Sequence, residues 1–164
     1  MPAQVSTPTP REVFTTLIGL ISDGKWADVS ALYAEDAVAE LPFALPAPDR
    51  IEGRAELHRR FMSLPDDAGL TMRAENVRVH ETADPEVIVA EFDYRGRGGA
   101  AGRPFHVANI QLLRVRDGLI VATRDFHDHA ALAVATGSVP GLDEALGGLG
   151  LDRAAAARGA TPSA

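Results

Sequence analysis

Two hydrophobic rhythms divide the chain. Val13, Phe14, Leu17, Ile18 and Ile21 recur at the spacing of one helix face. Thr9, Pro10 and Glu12 supply a start signal ahead of them: a capping hydroxyl, a proline at the first helical position and a glutamate three residues after the cap. Gly24 supplies the stop. A second short helix is expected from Trp26 to Tyr33, then a strand, "DAVAELPF", ended by Pro42. "LPAPDRIEG" reads as a proline-rich loop, and Gly53 leads into a third helix, "RAELHRRFMSL". After Pro65 the period changes to two. "LTMRAENVRVHE" and "EVIVAEFDYRG" alternate as strands joined at "TADP", a glycine-rich hairpin "GRGGAAG" follows, and "PFHVANIQLLRVR" and "LIVATRDFH" flank the turn signal Asp117-Gly118.

Helices first and strands afterwards predict an α+β fold, with three N-terminal helices packed on one face of a curved, mostly antiparallel sheet. A cone of that kind encloses an apolar pocket. Residues 1–10, rich in Pro, Thr and Ser, read as a flexible arm. Residues 138–164, rich in Ala and Gly and poor in aromatics, read as a low-complexity and mostly disordered tail.

Composition narrows the function classes. The 164 residues carry a net charge of −7, which argues against nucleic-acid binding, because phosphate contacts require a basic footprint. The absence of cysteine excludes disulfides, thiolate metal ligands and a cysteine nucleophile. Lys25 is the only lysine, and its surroundings, "SDGKWAD", look like a solvated turn. No leader-like start and no apolar run of membrane-spanning length is visible, so a cytoplasmic protein without membrane contact is the expectation.

Four blocks, "LYAEDAVAELPF", "RIEGRAELHRRF", "HETADPEVIVAEF" and "RVRDGLIVATRDF", occur in an order and spacing that resembles the NTF2-like (SnoaL-like) α+β barrels over residues 11–137. That superfamily includes ketosteroid isomerases, polyketide cyclases, limonene epoxide hydrolases and the phenazine-biosynthesis PhzA/PhzB proteins. "ETADPEVIVAEFDYRGRG" and the final "RDF" look most like the PhzA/PhzB branch. The resemblance implies an NTF2-like cone, a homodimer formed through the open sheet and work without metal or cofactor.

The resemblance also singles out residues. Asp125 matches the acidic position on the last strand that performs proton transfer in several branches. A carboxyl among apolar side chains loses hydration, so its pKa rises toward working pH. The alternative is an Asp125 paired with an arginine at the strand end. Glu40 is a second acid candidate, but its register is open: successive strand residues face opposite ways, so only one of Glu40 and Leu41 can line the pocket. His58 lies near where PhzA/PhzB-like proteins carry an assisting histidine, and "HRR" also fits a polar helix face. Glu91-Phe92-Asp93 stands where epoxide hydrolases of this fold need Arg-x-Asp, so the arginine is missing. His127 and His129, with His106 as a third, could bind a metal; the plainer reading is a polar strand end capping the helix "AALAVA". Asn109 is an amide that could donate into the pocket. Trp26, Tyr33, Phe61 and Phe92 are spaced as core, and any of them can line a cavity; Trp26, Phe61 and Leu41 are taken as substrate-binding. "GRGGAAG" lacks the strand-to-helix context of a phosphate loop.

The expected function is a cofactor-independent acid–base enzyme of secondary metabolism acting on an apolar, carbonyl-bearing small molecule. Asp125 would move the proton, and Glu40 or His58 would orient the substrate. A non-catalytic ligand-binding or dimerisation module on the same fold is the rival, and it predicts a salt-bridged Asp125 and a filled cavity. An epoxide-hydrolase-like hydrolase is a third reading.

Overall fold

The computed structural model describes residues 6–137, with residues 65–68 described by their backbone alone; the arm up to residue 5 and the tail 138–164 lie outside the described residues. Helix α1 spans Pro10–Ser22 and α2 Trp26–Val29. A 3-10 turn, Ser30–Leu32, then leads into β1, Tyr33–Leu41. Strand β2 is Asp49–Glu52, followed by α3, Arg54–Ala68. Then come β3, Thr71–Glu81; β4, Val87–Gly98; β5, Arg103–Arg116; β6, Leu119–His127; and α4, His129–Thr136.

The start of α1 forms as its residues dictate. The Glu12 amide donates to Thr9 Oγ1 at 3.3 Å, and the Thr9 amide donates to the Glu12 carboxylate at 2.8 Å, which satisfies two of the N–H groups left open at a helix start. Val13, Phe14, Leu17 and Ile21 are buried from the same helix face. Gly24, at φ 69°, lets the chain turn away after Asp23.

All six strands form one sheet in the order β2-β1-β6-β5-β4-β3, antiparallel except for the parallel pair β1–β6. Asp117 and Gly118 both take positive φ, 52° and 76°, as a two-residue hairpin between β5 and β6 requires. Asn76, at φ 55°, sits in a bulge of β3 that shifts its register against β4 between Glu75 and Arg78. Helix α1 packs on β3, β4 and β5, α3 on β1, and α4 on β5 and β4, so helices cover one face and leave the other open.

The α+β cone follows the expectation, with one correction. The proline-rich loop contains a strand, β2, paired with β1 through Val38–Leu41. The stretch after β6 is the expected helix, α4, a fourth beside the three N-terminal ones. Its cap is Asp128, whose carboxylate accepts the Ala131 amide at 3.0 Å. Two glycines of the β4–β5 hairpin seat that helix: a Cβ on Gly99 would stand 3.1 Å from the carbonyl oxygens of both Ala135 and Thr136. "GRGGAAG" is thus a close-packing surface.

Candidate active site

Between the helices and the inner face of the sheet lies a cavity of about 600 Å³. Its apolar walls come from Trp26, Leu41, Ile51, Leu57, Phe61 and Leu132, and from the loop between β1 and β2. Tyr33 and Phe61 meet there with ring centroids 5.8 Å apart. Five of its polar groups share one wall, supplied by β4, β5, β6 and the first residue of α4: Tyr94, Gln111, Asp125, His127 and His129; Tyr33, Asp49, Arg60 and Thr136 line it from other elements.

Strand alternation explains that wall. On β5 the buried phase runs Phe105, Val107, Asn109, Gln111, Leu113, Val115, so two amides interrupt an apolar series. Asp125 stands directly opposite Gln111 in the β5–β6 ladder. Gln111 Nε2 donates to Asp125 Oδ1 at 2.7 Å. No arginine or lysine forms an ion pair with Asp125 among the described residues, which leaves its charge poorly compensated. Burial pushes the Asp125 carboxyl up to about 6, against smaller downward pulls from Gln111, Thr123 and His129. The phenols of Tyr33 and Tyr94 are raised, first by burial and then by the Asp125 charge, so both stay protonated at neutral pH.

The two histidines share this environment. Burial lowers His127 to about 4. His129 is lowered by burial and by His127, while the Asp125 charge acts in the opposite direction. Their rings stack with centroids 5.7 Å apart at 25°, and Tyr94 meets the His127 ring edge-on at 6.1 Å. The Nε2 atoms of both histidines are buried without a hydrogen-bond partner.

The other anticipated residues fall elsewhere. Leu41, and not Glu40, faces the cavity: Ala39 and Leu41 share the inward phase of β1, and Glu40 projects to the other side. Its carboxylate is held by Arg50 at 2.7 Å and Arg124 at 3.0 Å. His58 lies on the exposed side of α3, its Nδ1 2.9 Å from Ser30 Oγ, so neither Glu40 nor His58 can orient a molecule in this cavity. Asn109 is buried but does not line the cavity; its Nδ2 donates to the carbonyls of Val107 at 3.2 Å and Phe92 at 3.4 Å. Trp26 and Phe61 do line it, and Phe92 packs in the core against Phe14 with centroids 5.5 Å apart. Glu91 and Asp93 face the outer side, near His80 at 3.4 Å and His106 at 3.3 Å. His106 is therefore on the opposite face from His127 and His129, and no group of three His, Asp or Glu suited to a metal comes together among the described residues. Sequence reasoning missed Gln111, although its place in the apolar phase of β5 was a usable signal. It also read His127 and His129 as a strand end.

Comparison with known proteins agrees with this geometry. The family model of the SnoaL-like domain matches residues 14–123. The chain belongs to the SnoaL-like family. An uncharacterised PhzA/B-like protein of Pseudomonas aeruginosa is 32% identical over 120 residues, covering 71% of this chain and 82% of that protein. Among solved structures, a candidate isomerase from Bacillus subtilis superposes with a TM-score of 0.72 at 27% identity, over 79% of this chain and 94% of that one. A phenazine biosynthesis-related protein of P. aeruginosa gives 0.67 at 20% identity over 78% and 80%, and shares the fold. A candidate polyketide cyclase from Pseudomonas putida does the same at 0.67 and 16%, over 79% and 98%. No helix among the described residues is long and apolar enough to cross a membrane.

Proposed function

We propose that this SnoaL-like protein is a cofactor-independent acid–base enzyme of secondary metabolism in the cytoplasm. It would move a proton on an apolar, carbonyl-bearing small molecule, in an isomerisation, ring closure or condensation. The observation that carries this is Asp125: a carboxyl inside an apolar cavity, with an amide as its hydrogen-bond partner and an affinity for protons near working pH. Such a group is ionised often enough to take a proton from carbon and acidic enough to return it. The protonated phenols of Tyr33 and Tyr94 line the same cavity and can donate to an enolate oxygen as charge develops there. Proton movement of this kind requires no electron or group transfer.

A binding module would have salt-bridged Asp125 and filled the space beside it, so both features favour catalysis. Structural relatives named as a candidate isomerase and a candidate polyketide cyclase support the same class of chemistry. A homodimer through the open sheet is part of the proposal, supported by Val77 and Ile110 standing 40% and 45% exposed on strands β3 and β5. Light scattering should give twice the chain mass.

The direct test is the Asp125 midpoint from carboxyl-carbon NMR, with Asp125→Asn as the assignment control. A midpoint near 6 is expected. A value below about 3, the mark of an ion-paired aspartate, would sink the acid–base reading.

A further inference from the structure

We propose that Arg60, at the rim of the cavity, binds a carboxylate of the substrate, so that the substrate is an apolar ketone that also carries an acid group. The proposal deepens the proton-transfer reading of Asp125 and rests on it for the reacting carbonyl.

Helix α3 brings this residue to the cavity. Leu57, Phe61 and Leu64 recur at the spacing of one helix face and line the cavity, and Arg60 falls within the same stripe. It is a charged residue in an apolar phase, as Gln111 is a polar one in the inward phase of β5. Leu57 is buried and Arg60 is exposed, so Arg60 marks where the cavity opens to solvent.

The arginines of α3 differ in what they hold. Arg54 pairs with Glu35 at 3.1 Å, and Arg59 pairs with Glu56 on the helix surface. Among the described residues no carboxylate pairs with Arg60; Ser63 Oγ donates to its backbone carbonyl at 2.9 Å, which leaves the guanidinium open. The acids that line the cavity are engaged elsewhere. Asp49 accepts the Arg50 amide at 2.8 Å, and Asp125 accepts from Gln111 at 2.7 Å. His129, close enough to feel the Arg60 charge, is kept neutral first by its burial. Arg60 is thus the cation among the charged side chains that line the cavity.

An open guanidinium presents parallel N–H donors that match the two oxygens of a carboxylate. A phosphate dianion fits less well, because Asp49 and Asp125 line the same cavity and repel a second negative charge. With the apolar body of the substrate against Trp26, Leu41 and Phe61, an acid group held at the rim decides which end enters first. Binding energy from a group remote from the reacting carbon then holds the C–H bond toward Asp125. Arg60 sets specificity in this scheme and takes no part in moving the proton.

The test is calorimetric binding of 4-acetylbenzoate and its neutral isostere 4-acetylbenzamide to the full chain at neutral pH and low salt. Wild-type protein should bind the acid at least about fivefold more tightly than the amide, the scale of one partly exposed ion pair. Arg60→Gln should bring that ratio close to one, and Arg60→Lys, which keeps the charge, should retain a preference for the acid. Arg59→Gln removes the same charge from outside the cavity and should keep the wild-type ratio. Each ratio is taken within one variant, so a loss of folded protein changes the amount of heat and leaves the ratio intact. Equal binding of the two probes by the wild-type protein, or no binding of the acid, would overturn the assignment. So would a ratio that survives Arg60→Gln, or one that Arg59→Gln abolishes equally. Binding needs no turnover, so an Asp125 midpoint below about 3 would remove the proton-transfer reading and leave this result separately readable.

Discussion

Adjacent residues of β6 face opposite surroundings. Arg124 points out, half-exposed, 3.0 Å from Glu40, which Arg50 also binds. Asp125 points in, against a single amide from Gln111. The same division runs across the sheet. Outside, charges are paired, as in Glu86 with Arg114 and Arg116 at 3.0 and 2.9 Å. Inside, the buried polar atoms without partners among the described residues are Asn109 Oδ1, Thr123 Oγ1, His127 Nε2 and His129 Nε2, all on β5, β6 or the start of α4. Exposed pairs are screened and contribute up to about 1 kcal/mol each. Buried groups without a counter-charge instead shift their proton affinity, and that is where chemistry becomes available.

Activity should separate the two faces most widely. Asp125→Asn is expected to slow conversion of β,γ-cyclohexenone about a thousandfold, within the range general base catalysis supplies. Glu40→Gln and His58→Gln should stay within about twofold, because both side chains lie outside the cavity. Equal losses at Glu40 and Asp125 would erase the distinction between the faces.

Stability against pH gives the next largest effect. The folded Asp125 midpoint, about 6, lies above the ordinary 3.8, so between these values the folded chain binds more protons and loses stability as pH rises. The loss amounts to about 3 kcal/mol across the window. His127 runs the other way. Its folded midpoint, about 4, lies below the ordinary 6.5, so the unfolded chain binds more protons and stability falls as pH drops, by a similar amount of about 3 kcal/mol. His129, also lowered, adds to that side. Between about pH 4 and 6 the slopes oppose one another. Urea unfolding should show that Asp125→Asn makes the protein more acid-labile and His127→Phe makes it less so. Parallel curves for the two variants would contradict the buried assignment of both groups.

Smaller effects sharpen the picture. Gly99→Ala forces a Cβ to 3.1 Å from two carbonyl oxygens at a φ of 72°, and should cost about 1–3 kcal/mol in thermal unfolding by strain and a displaced α4. Gln111→Leu removes the donor that favours the carboxylate, so the Asp125 midpoint should move further upward in carboxyl-carbon NMR. Arg124→Gln should cost less than about 1 kcal/mol.

Long periodic segments made most of the fold legible. The capping box at Thr9, the Asp117-Gly118 hairpin and the four alternating strands are local signals, and each appears where its chemistry requires it. Strand β2 was hidden because its four residues are too short to display a period, and its pairing depends on β1. The choice between Glu40 and Leu41 was written in the alternation of Ala37, Ala39 and Leu41, a phase in which glutamate has no place. Gln111 was legible by the opposite logic, as a polar residue in an apolar phase. The β5–β6 register shift between Arg114 and Val115 moves the inward phase of β6 from Ile120 to Thr123, Asp125 and His127, a change no pattern within that strand announces.

The parallel pairing of β1 with β6 has a consequence for biosynthesis. Ala39 meets Thr123, so a loop of about eighty residues must close before that pair can form. A nascent chain emerging from the ribosome presents β1 with only the four residues of β2 beside it until Leu119–His127 arrives. During that interval the edge of β1 is exposed to mispairing. The strand that brings Asp125 also closes the sheet, so no folding intermediate lacking β6 can hold the reactive group.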